Sequence, residues 1–564
     1  TGLPPNAHSL QTSTTPFLQS VDSLLSSEQY GVHFGRHWLD IARYADNNGN
    51  RLAKSGRNPY YPHAWTYRDW VIESFNHDLP YDRFVRHQLA GDSFATQTDR
   101  RPLTGLGFLR VGREFGQNVD DRIDDRIDAL TKGLLGLTVS CARCHDHKFD
   151  PVLTQDYYAL HGIFSSSEDV DSELIDPAQI PGHAAYREAQ QKRMAELKAR
   201  ARDQMEQLVS GYVHRTDELL LAAHQFLESD QNRKASSAAA RKTGIQADIF
   251  EAWIKSLEKW RDESNRVFTP WFELNRFTAA EFSRLLDGTV EVHPLVLRKL
   301  KTTRPQNRTQ LARLYRDLAI EIERAAGRHF PIVELILGTD SIQRNWRHRE
   351  YNPYHDKPAP LPTGETEELR QVLIGFQGPW GGPQLPPRML FRSGAGEFKT
   401  PIRMTAMEFL KQDGEDPRAP IRAMAMADTA QPVNSPIYLR GDKNNPGEEA
   451  PRAFLTQLSK PNSKPYTQGS GRLELAHDIT RRDNPLTARV IVNRVWQWHF
   501  GQGLVPTASD FGLNGRPPTH PELLDWLATW FMNNGWSIKK LNRLILTSNT
   551  WQQDSHPNSD GIEK

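Results

Sequence analysis

The stretch Thr519–Ile545, THPELLDWLATWFMNNGWSIKKLNRLI, sets the architecture of this chain. Thr519-His520-Pro521-Glu522 reads as a capping box with an early proline, which opens a helix. Leu523, Leu527 and Trp530, with Leu524 and Phe531, then line one stripe at helical spacing, and Gly535 stops the run. Ser537 is placed to cap a following helix that carries Ile538, Leu541, Leu544 and Ile545. Just upstream, Pro485 to Phe500 reads as another helix, ended by Gly501.

The same period governs most of the chain further upstream. Between about Ser27 and Ser167, Trp38, Ile41 and Ala42, then Trp70, Val71 and Ser74, fit helix faces. Residues 46–64, DNNGNRLAKSGRNPYYPHA, hold too much Gly, Asn and Pro for a helix and read as a long loop. Residues 185–265 turn to Ala, Lys, Arg, Glu and Gln with spaced leucines, the pattern of one or two long amphipathic helices. Ser229–Gly244 reads as their mobile break. Residues 266–345 again look helical. Pro and Gly become frequent from about 350 to 470, where Arg388–Arg392 and Ile437–Arg440 fit strands. The expected fold is mainly α and multi-domain, with a small β-containing segment near 350–470. Its divisions are a flexible arm over 1–26, an N-terminal helical domain over 27–175 and a long-helix insert over 176–265. A helical or irregular middle region over 266–400 and a C-terminal helical domain over 401–564 follow.

Composition narrows the function classes. The chain has 564 residues, 25% charged and 37% hydrophobic, as in soluble globular proteins. Seventy basic residues against 69 acidic ones leave a net charge of +1, which offers no electrostatic footprint for nucleic acid. No stretch approaches the roughly 20 apolar residues of a membrane-spanning helix. The start at Thr1 is read as that of a processed or trimmed product, in which a removed signal peptide would leave no trace.

Cysteine usage is the sharpest signal. The chain contains two cysteines, in Cys141-Ala142-Arg143-Cys144-His145. Chance would place two cysteines and a histidine so in roughly one chain in 10⁴, so the arrangement calls for a chemical reason. Cys-x-x-Cys-His is the spacing of a covalent c-type haem site. Two thiols add across the vinyl groups as thioethers, and the histidine gives the iron an axial nitrogen. On this reading Cys141, Cys144 and His145 bind one haem c, His145 is the iron ligand, and residues 27–175 are the haem-binding domain. Attachment occurs outside the cytoplasm, so the motif places the chain in the periplasm or otherwise exported.

Three rival readings stand beside it. Zinc on Cys141, Cys144, His145 and His147 would crowd a tetrahedron. A thioredoxin-like dithiol needs a βαβ setting for which Leu134–Val139 is a weak cue. Unpaired buried cysteine is the third. The sixth iron ligand is open among His161, His33, His37, Met424 and Met426, while His147 lies too near to reach the opposite haem face. Upstream, Asp120, Asp124 and Asp128 repeat every four residues beside Asp121 and Asp125. Arg122, Arg126 or a calcium ion would relieve that like-charge stack, and a solvated helix face is favoured over calcium.

Residues 137–164, LTVSCARCHDHKFDPVLTQDYYALHGIF, resemble the signature of the planctomycete cytochrome-C-associated proteins, which pair an N-terminal and a C-terminal domain of unknown function. The stretches His37–Asp46, Tyr67–Ile72, Leu79–Phe84 and Gln88–Asp92 extend the likeness. In the C-terminal half, Asn484–Val490, Val492–Arg494, Phe500–Val505, Asp510–Gly512 and His520–Leu527 do the same, with Arg440-Gly441-Asp442. The resemblance covers roughly 30–170 and 400–555, and residues 175–350 depart from it. It implies export, a redox partner such as a cytochrome c domain, and association with sulfatase-like proteins devoted to complex polysaccharides. No settled reaction comes with it.

Within the matched stretches, Arg43, Tyr44, Asp46, Asn493 and Arg494 are the candidate catalytic residues. Arg43 with Asp40 also fits an ordinary i, i+3 ion pair. The sharper expectation puts Arg43, Tyr44 and Arg143 at the haem, with arginine suited to its propionates, so Arg143 joins the cofactor-binding set. Asn493 and Arg494, or Arg440 and Asp442, suit a polar substrate, and interdomain hydrogen bonding explains them equally well. Three function classes follow. The first is a haem-dependent oxidoreductase acting in breakdown of complex, in some cases sulfated, polysaccharides. The second is an electron-transfer or docking subunit for a sulfatase-like or cytochrome partner, and the third a cell-surface protein with haem as a folding staple. If the C-terminal domain packs on the haem domain, some residue between 400 and 555 must touch Cys141–His145.

Overall fold

Amphipathic periodicity produces helices through most of the described chain, and the fold is mainly α. The computed structural model describes residues 17–47, 61, 63–113, 118–229, 236–326, 364–373 and 416–553. Two units emerge: one from residues 1–186 with 410–564, the other from 187–409.

In the first unit, Ser27 caps the Glu28–Ile41 helix by accepting a hydrogen bond from the Gln29 amide. That helix buries Tyr30, Phe34 and Trp38 and crosses the Ala64–Asn76 helix, which buries Tyr67, Trp70 and Val71. The helices approach so closely that a methyl group at Gly31 would strike the Ile72 carbonyl. Gln88, fully buried, accepts hydrogen bonds from the Trp38 indole (2.8 Å) and the Tyr67 hydroxyl (2.7 Å), which satisfies those two polar atoms inside the aromatic core. One apolar core joins Trp38, Phe84 and Ile127 to Ile491, Leu527 and Leu541. Segments expected as separate N- and C-terminal domains therefore share a single core. Each large side chain buried there contributes about 1.5–3 kcal/mol relative to exposure.

Four short strands accompany the helices. β1 (Ser167–Glu173) pairs antiparallel with β2 (Arg422–Asp428), from Ser167 opposite Asp428 to Glu173 opposite Arg422. β3 (Ser435–Tyr438) pairs with β4 (Pro446–Ala450). Nothing in the local sequence points to β1. Its residues, SEDVDSE, have no apolar alternation, and buried arginines accommodate its acids: Arg126 meets Asp169 at 2.5 Å and Arg110 meets Asp171 at 2.9 Å.

In the second unit, the helices Thr216–Glu228, Ala247–Asp262, Pro294–Thr303 and Gly364–Leu373 contribute to one core. Stacked rings run through it, Trp260 on Phe268 (4.0 Å) and Phe268 on Tyr315 (4.6 Å). From Tyr212 on, the insert expected over 176–265 thus shares one core with described parts of the middle region expected over 266–400, while residues 176–186 belong to the first unit.

Several expectations need correction. Phe17–Ser26 is a helix with Val21 and Leu25 buried, not part of a flexible arm over 1–26, because its apolar face finds a partner; residues 1–16 lie outside the described residues. Thr519 forms no capping box. His520 occupies the cap position, and the Thr519 amide and hydroxyl donate instead to the Leu504 carbonyl. The following helix, Pro521–Asn533, keeps its expected start, and Ser537 caps Ile538–Leu546 by accepting from the Lys540 amide. Within the expected break Ser229–Gly244, Ser236–Thr243 is helical. The expected strand Ile437–Arg440 ends at Tyr438, since Leu439–Gly441 is a 3-10 turn with Arg440 at φ 56°. The expected strand Arg388–Arg392, and residues 48–60 of the expected loop, lie outside the described residues. Among the described residues, no helix is long and apolar enough to cross a membrane.

Candidate functional site

The turn that carries the cysteines is anchored on both sides by backbone hydrogen bonds from distant segments. The Val119–Leu130 helix runs into a π-helical turn, Thr131–Leu135, ended by Gly136 in the left-handed region at φ 63°. Fully buried Leu134 and Leu135 fix that turn in the core. Arg494 donates to the carbonyls of Lys132 (2.8 Å) and Gly133, and the Phe511 amide donates to the Gly136 carbonyl (2.7 Å). These bonds satisfy carbonyls that the helix end leaves open.

A 3-10 turn, Val139–Arg143, follows, with Val139 and Ala142 pointing into the core. On its far side, His147 Nδ1 accepts from the Asp150 amide (2.9 Å), and its Nε2 lies 3.2 Å from the Thr138 hydroxyl. Asp150 in turn accepts from the Leu513 amide at 2.6 Å. With both ring nitrogens engaged, His147 closes the loop on itself, and the four-ligand zinc arrangement does not assemble. The turn follows a helix, so the βαβ setting of a thioredoxin-like dithiol is absent among the described residues.

What remains at the surface is Cys141, Cys144 and His145, all exposed, with both thiols free. His145 Nδ1 lies 2.8 Å from the Asp146 carbonyl oxygen. A carbonyl only accepts, so Nδ1 carries the hydrogen and Nε2 keeps its lone pair, the tautomer a metal-binding imidazole needs. Phe149, Leu153, Leu439 and Leu513, all large apolar side chains left exposed, lie in the segments that frame this turn.

The C-terminal half reaches the cysteines directly. Gly441, at φ 73°, lies so close that a Cβ there would stand 2.7 Å from Cys144 Sγ. The Tyr158 hydroxyl is within hydrogen-bond distance of two carbonyls, Arg143 (3.0 Å) and Tyr438 (3.3 Å), and so ties the cysteine turn to β3. Burial pushes that phenol up to about 12, which keeps it a neutral donor. The contact expected between residues 400–555 and Cys141–His145 is thus present.

The acids of the Val119–Leu130 helix each have a partner of their own. Asp120 stands 3.6 Å from His161 Nε2, Asp121 3.0 Å from Arg143, and Asp128 2.8 Å from Lys132. Asp124 accepts from the Tyr157 hydroxyl at 2.8 Å, and Asp125 pairs with Arg43 at 2.5 Å. Among the described residues, no three His, Cys, Asp or Glu side chains are grouped to hold a metal ion. Calcium is not needed to explain the stack.

The remaining candidates divide. Arg143 lies within the cysteine turn but is already paired with Asp121. Arg43 does not pair with Asp40; it bonds the Asp125 side chain and the carbonyls of Asp125 and Phe108, because its left-handed backbone (φ 57°) turns it inward. The Tyr44 hydroxyl donates to Asp46 at 2.6 Å, and both residues remain accessible. Asn493, fully buried, clamps Val505 by accepting from its amide (2.8 Å) and donating to its carbonyl (3.0 Å). Arg494 therefore serves the interdomain hydrogen bonding that is the plainer reading of it, whereas Asn493 holds a turn within the C-terminal segment itself. Asp442 accepts from the Asn444 amide and side chain. Of the sixth-ligand candidates, Met424 and Met426 are buried in the core on β2, and buried His161 bonds Ser165 and Ser435. His33 and His37 pack on one another at the end of the Thr487–Phe500 helix. Tyr158 and the exposed apolar frame escape a reading of the sequence. The Arg440-Gly441-Asp442 likeness is the one signal that points toward Gly441.

Residues 1–169 match a family model, PSCyt2, described as a protein of unknown function (DUF1549). Residues 471–564 match a second, PSD1, likewise described as a protein of unknown function (DUF1553). This pairing of an N-terminal with a C-terminal domain agrees with the arrangement of the family that the sequence resembles. No curated protein and no solved structure matches the chain.

Proposed function

We propose that this chain is an exported c-type haem protein that exchanges electrons at an open face. The observation that carries this reading is the anchored turn presenting two free, exposed thiols and an imidazole whose Nε2 lone pair is set free by the Asp146 carbonyl. Cys141 and Cys144 would hold the haem through two thioether bonds, each thiol giving its sulfur and its proton to one vinyl group. His145 would hold the iron through its free Nε2, and the exposed apolar side chains of Phe149, Leu153, Leu439 and Leu513 suit a flat apolar ring. A haem so held supplies one-electron chemistry when bound.

The chain's own residues fix the site and frame its access. Arg494, Phe511 and Asp150 hold the turn rigid, and Gly441 and Tyr158 hold Cys144 from the other half. Of the five catalytic candidates, Arg43, Asn493 and Arg494 are committed to structural hydrogen bonds, which leaves Tyr44 and Asp46 to support an oxidoreductase with a substrate of its own. The apolar frame instead favours the electron-transfer or docking reading, in which a redox partner covers the haem edge. A role in complex polysaccharide breakdown follows from the resemblance alone.

The test is retention of haem through denaturation. Wild-type protein made with a haem c maturation system should stain for haem peroxidase activity on a denaturing gel, and Cys141→Ala with Cys144→Ala should abolish the stain. Oxidised and reduced spectra then report whether the iron is five- or six-coordinate. An unstained wild type, or a stained double variant, refutes the proposal.

A further inference from the structure

Outside the cysteine turn, the Glu28–Ile41 helix carries two histidines one helical turn apart that nothing above uses. His33 and His37 are i, i+4 neighbours, which places them on one face of the helix. Both are half-buried, and their ring centroids lie 5.4 Å apart at 85°. His37 stacks on Trp498 of the Thr487–Phe500 helix at 5.0 Å and 11°, which fixes that ring from one face. Among the described residues, no ring nitrogen of either histidine has a hydrogen-bond partner, whereas nearby His499 is held by Asn542 at 2.6 Å.

We infer that His33 and His37 form a binding site for a divalent transition-metal ion, with water completing its coordination. Geometry carries the argument. Metal–nitrogen bonds are about 2.0 Å, and a ring nitrogen lies about 1.2 Å from its centroid. Two imidazoles on one ion then have centroids roughly 4.5–5.5 Å apart for ligand angles of about 90° to 115°. The observed 5.4 Å falls within that span. Two imidazoles select borderline ions such as copper(II), nickel(II) and zinc(II) over calcium or magnesium, which prefer oxygen. Asp40, exposed one turn beyond His37, adds negative charge near the site.

Copper(II), nickel(II) and zinc(II) are the probes, titrated separately into the full-length chain with its two thiols alkylated so that they do not compete. One equivalent should bind, copper most tightly. Paramagnetic resonance of the copper-loaded wild type should show two equatorial nitrogens. Copper should also quench the fluorescence of Trp498, and Trp498→Phe should remove that component without removing binding. His33→Ala and His37→Ala should each weaken binding at least about tenfold while leaving circular dichroism unchanged. Absence of binding, affinity untouched in both alanine variants, or a copper spectrum without two nitrogens would overturn the inference.

Discussion

Arg494 offers a quantitative test of how the cysteine turn is held. Its guanidinium is buried with no carboxylate paired to it among the described residues, and it donates to three backbone carbonyls, of Gly133, Lys132 (2.8 Å) and Ala508 (3.4 Å). Desolvation pulls it down to about 10, so burying the cation costs free energy that the hydrogen bonds must offset. Because the folded value is the depressed one, the cost is present at neutral pH and is relieved only as pH rises past about 10. Arg494→Met keeps most of the volume and removes that cost, but leaves buried carbonyls unpaired. Two carbonyls left without their donor cost about 2–6 kcal/mol together, and relief of desolvation returns about 3 kcal/mol, so the net loss should be about 0–3 kcal/mol. Urea unfolding monitored by tryptophan fluorescence measures it, and amide exchange at Gly136 and Leu137 should accelerate by more than the global loss accounts for. An Arg494→Met variant within about 0.5 kcal/mol of wild type, with unchanged local exchange, would show that Arg494 does not hold the turn.

Gly441→Ala should cost about 1–2 kcal/mol from its left-handed backbone alone. Its new methyl group should also change the alkylation rate of Cys144 relative to Cys141 in haem-free protein, and identical rates would remove Gly441 from the site. Asp120 is held below the usual carboxylate range chiefly by its pairing with His161, 3.6 Å away. A depressed acid stabilises above its unfolded value and loses that contribution as pH falls through its folded value. Wild type should therefore be more stable than Asp120→Asn at pH 5–7, and the gap should close below about pH 4; a pH-independent gap in melting temperature would contradict the pairing.

Local sequence suffices for the helical character of the chain and for singling out one turn by its chemistry. Helix starts and stops at Pro521, Ser537, Gly501 and Gly535 are local events, written in capping residues and apolar period within a few positions. Cys141, Cys144 and His145 are legible for the same reason, since the Cys-x-x-Cys-His spacing is a property of five consecutive residues. The roles of Arg43, Asn493 and Arg494 emerge from tertiary packing alone, because their partners lie 12 to 362 residues away. Polar side chains near a motif look alike whether they meet a substrate or a buried carbonyl, and burial distinguishes them. β1 is illegible for a related reason: its acids are tolerable in a strand only because Arg110 and Arg126 arrive from other segments to pair with them. The contact between Gly441 and Cys144 likewise exists because the N- and C-terminal segments share one hydrophobic core, a long-range consequence of burial that no local pattern encodes.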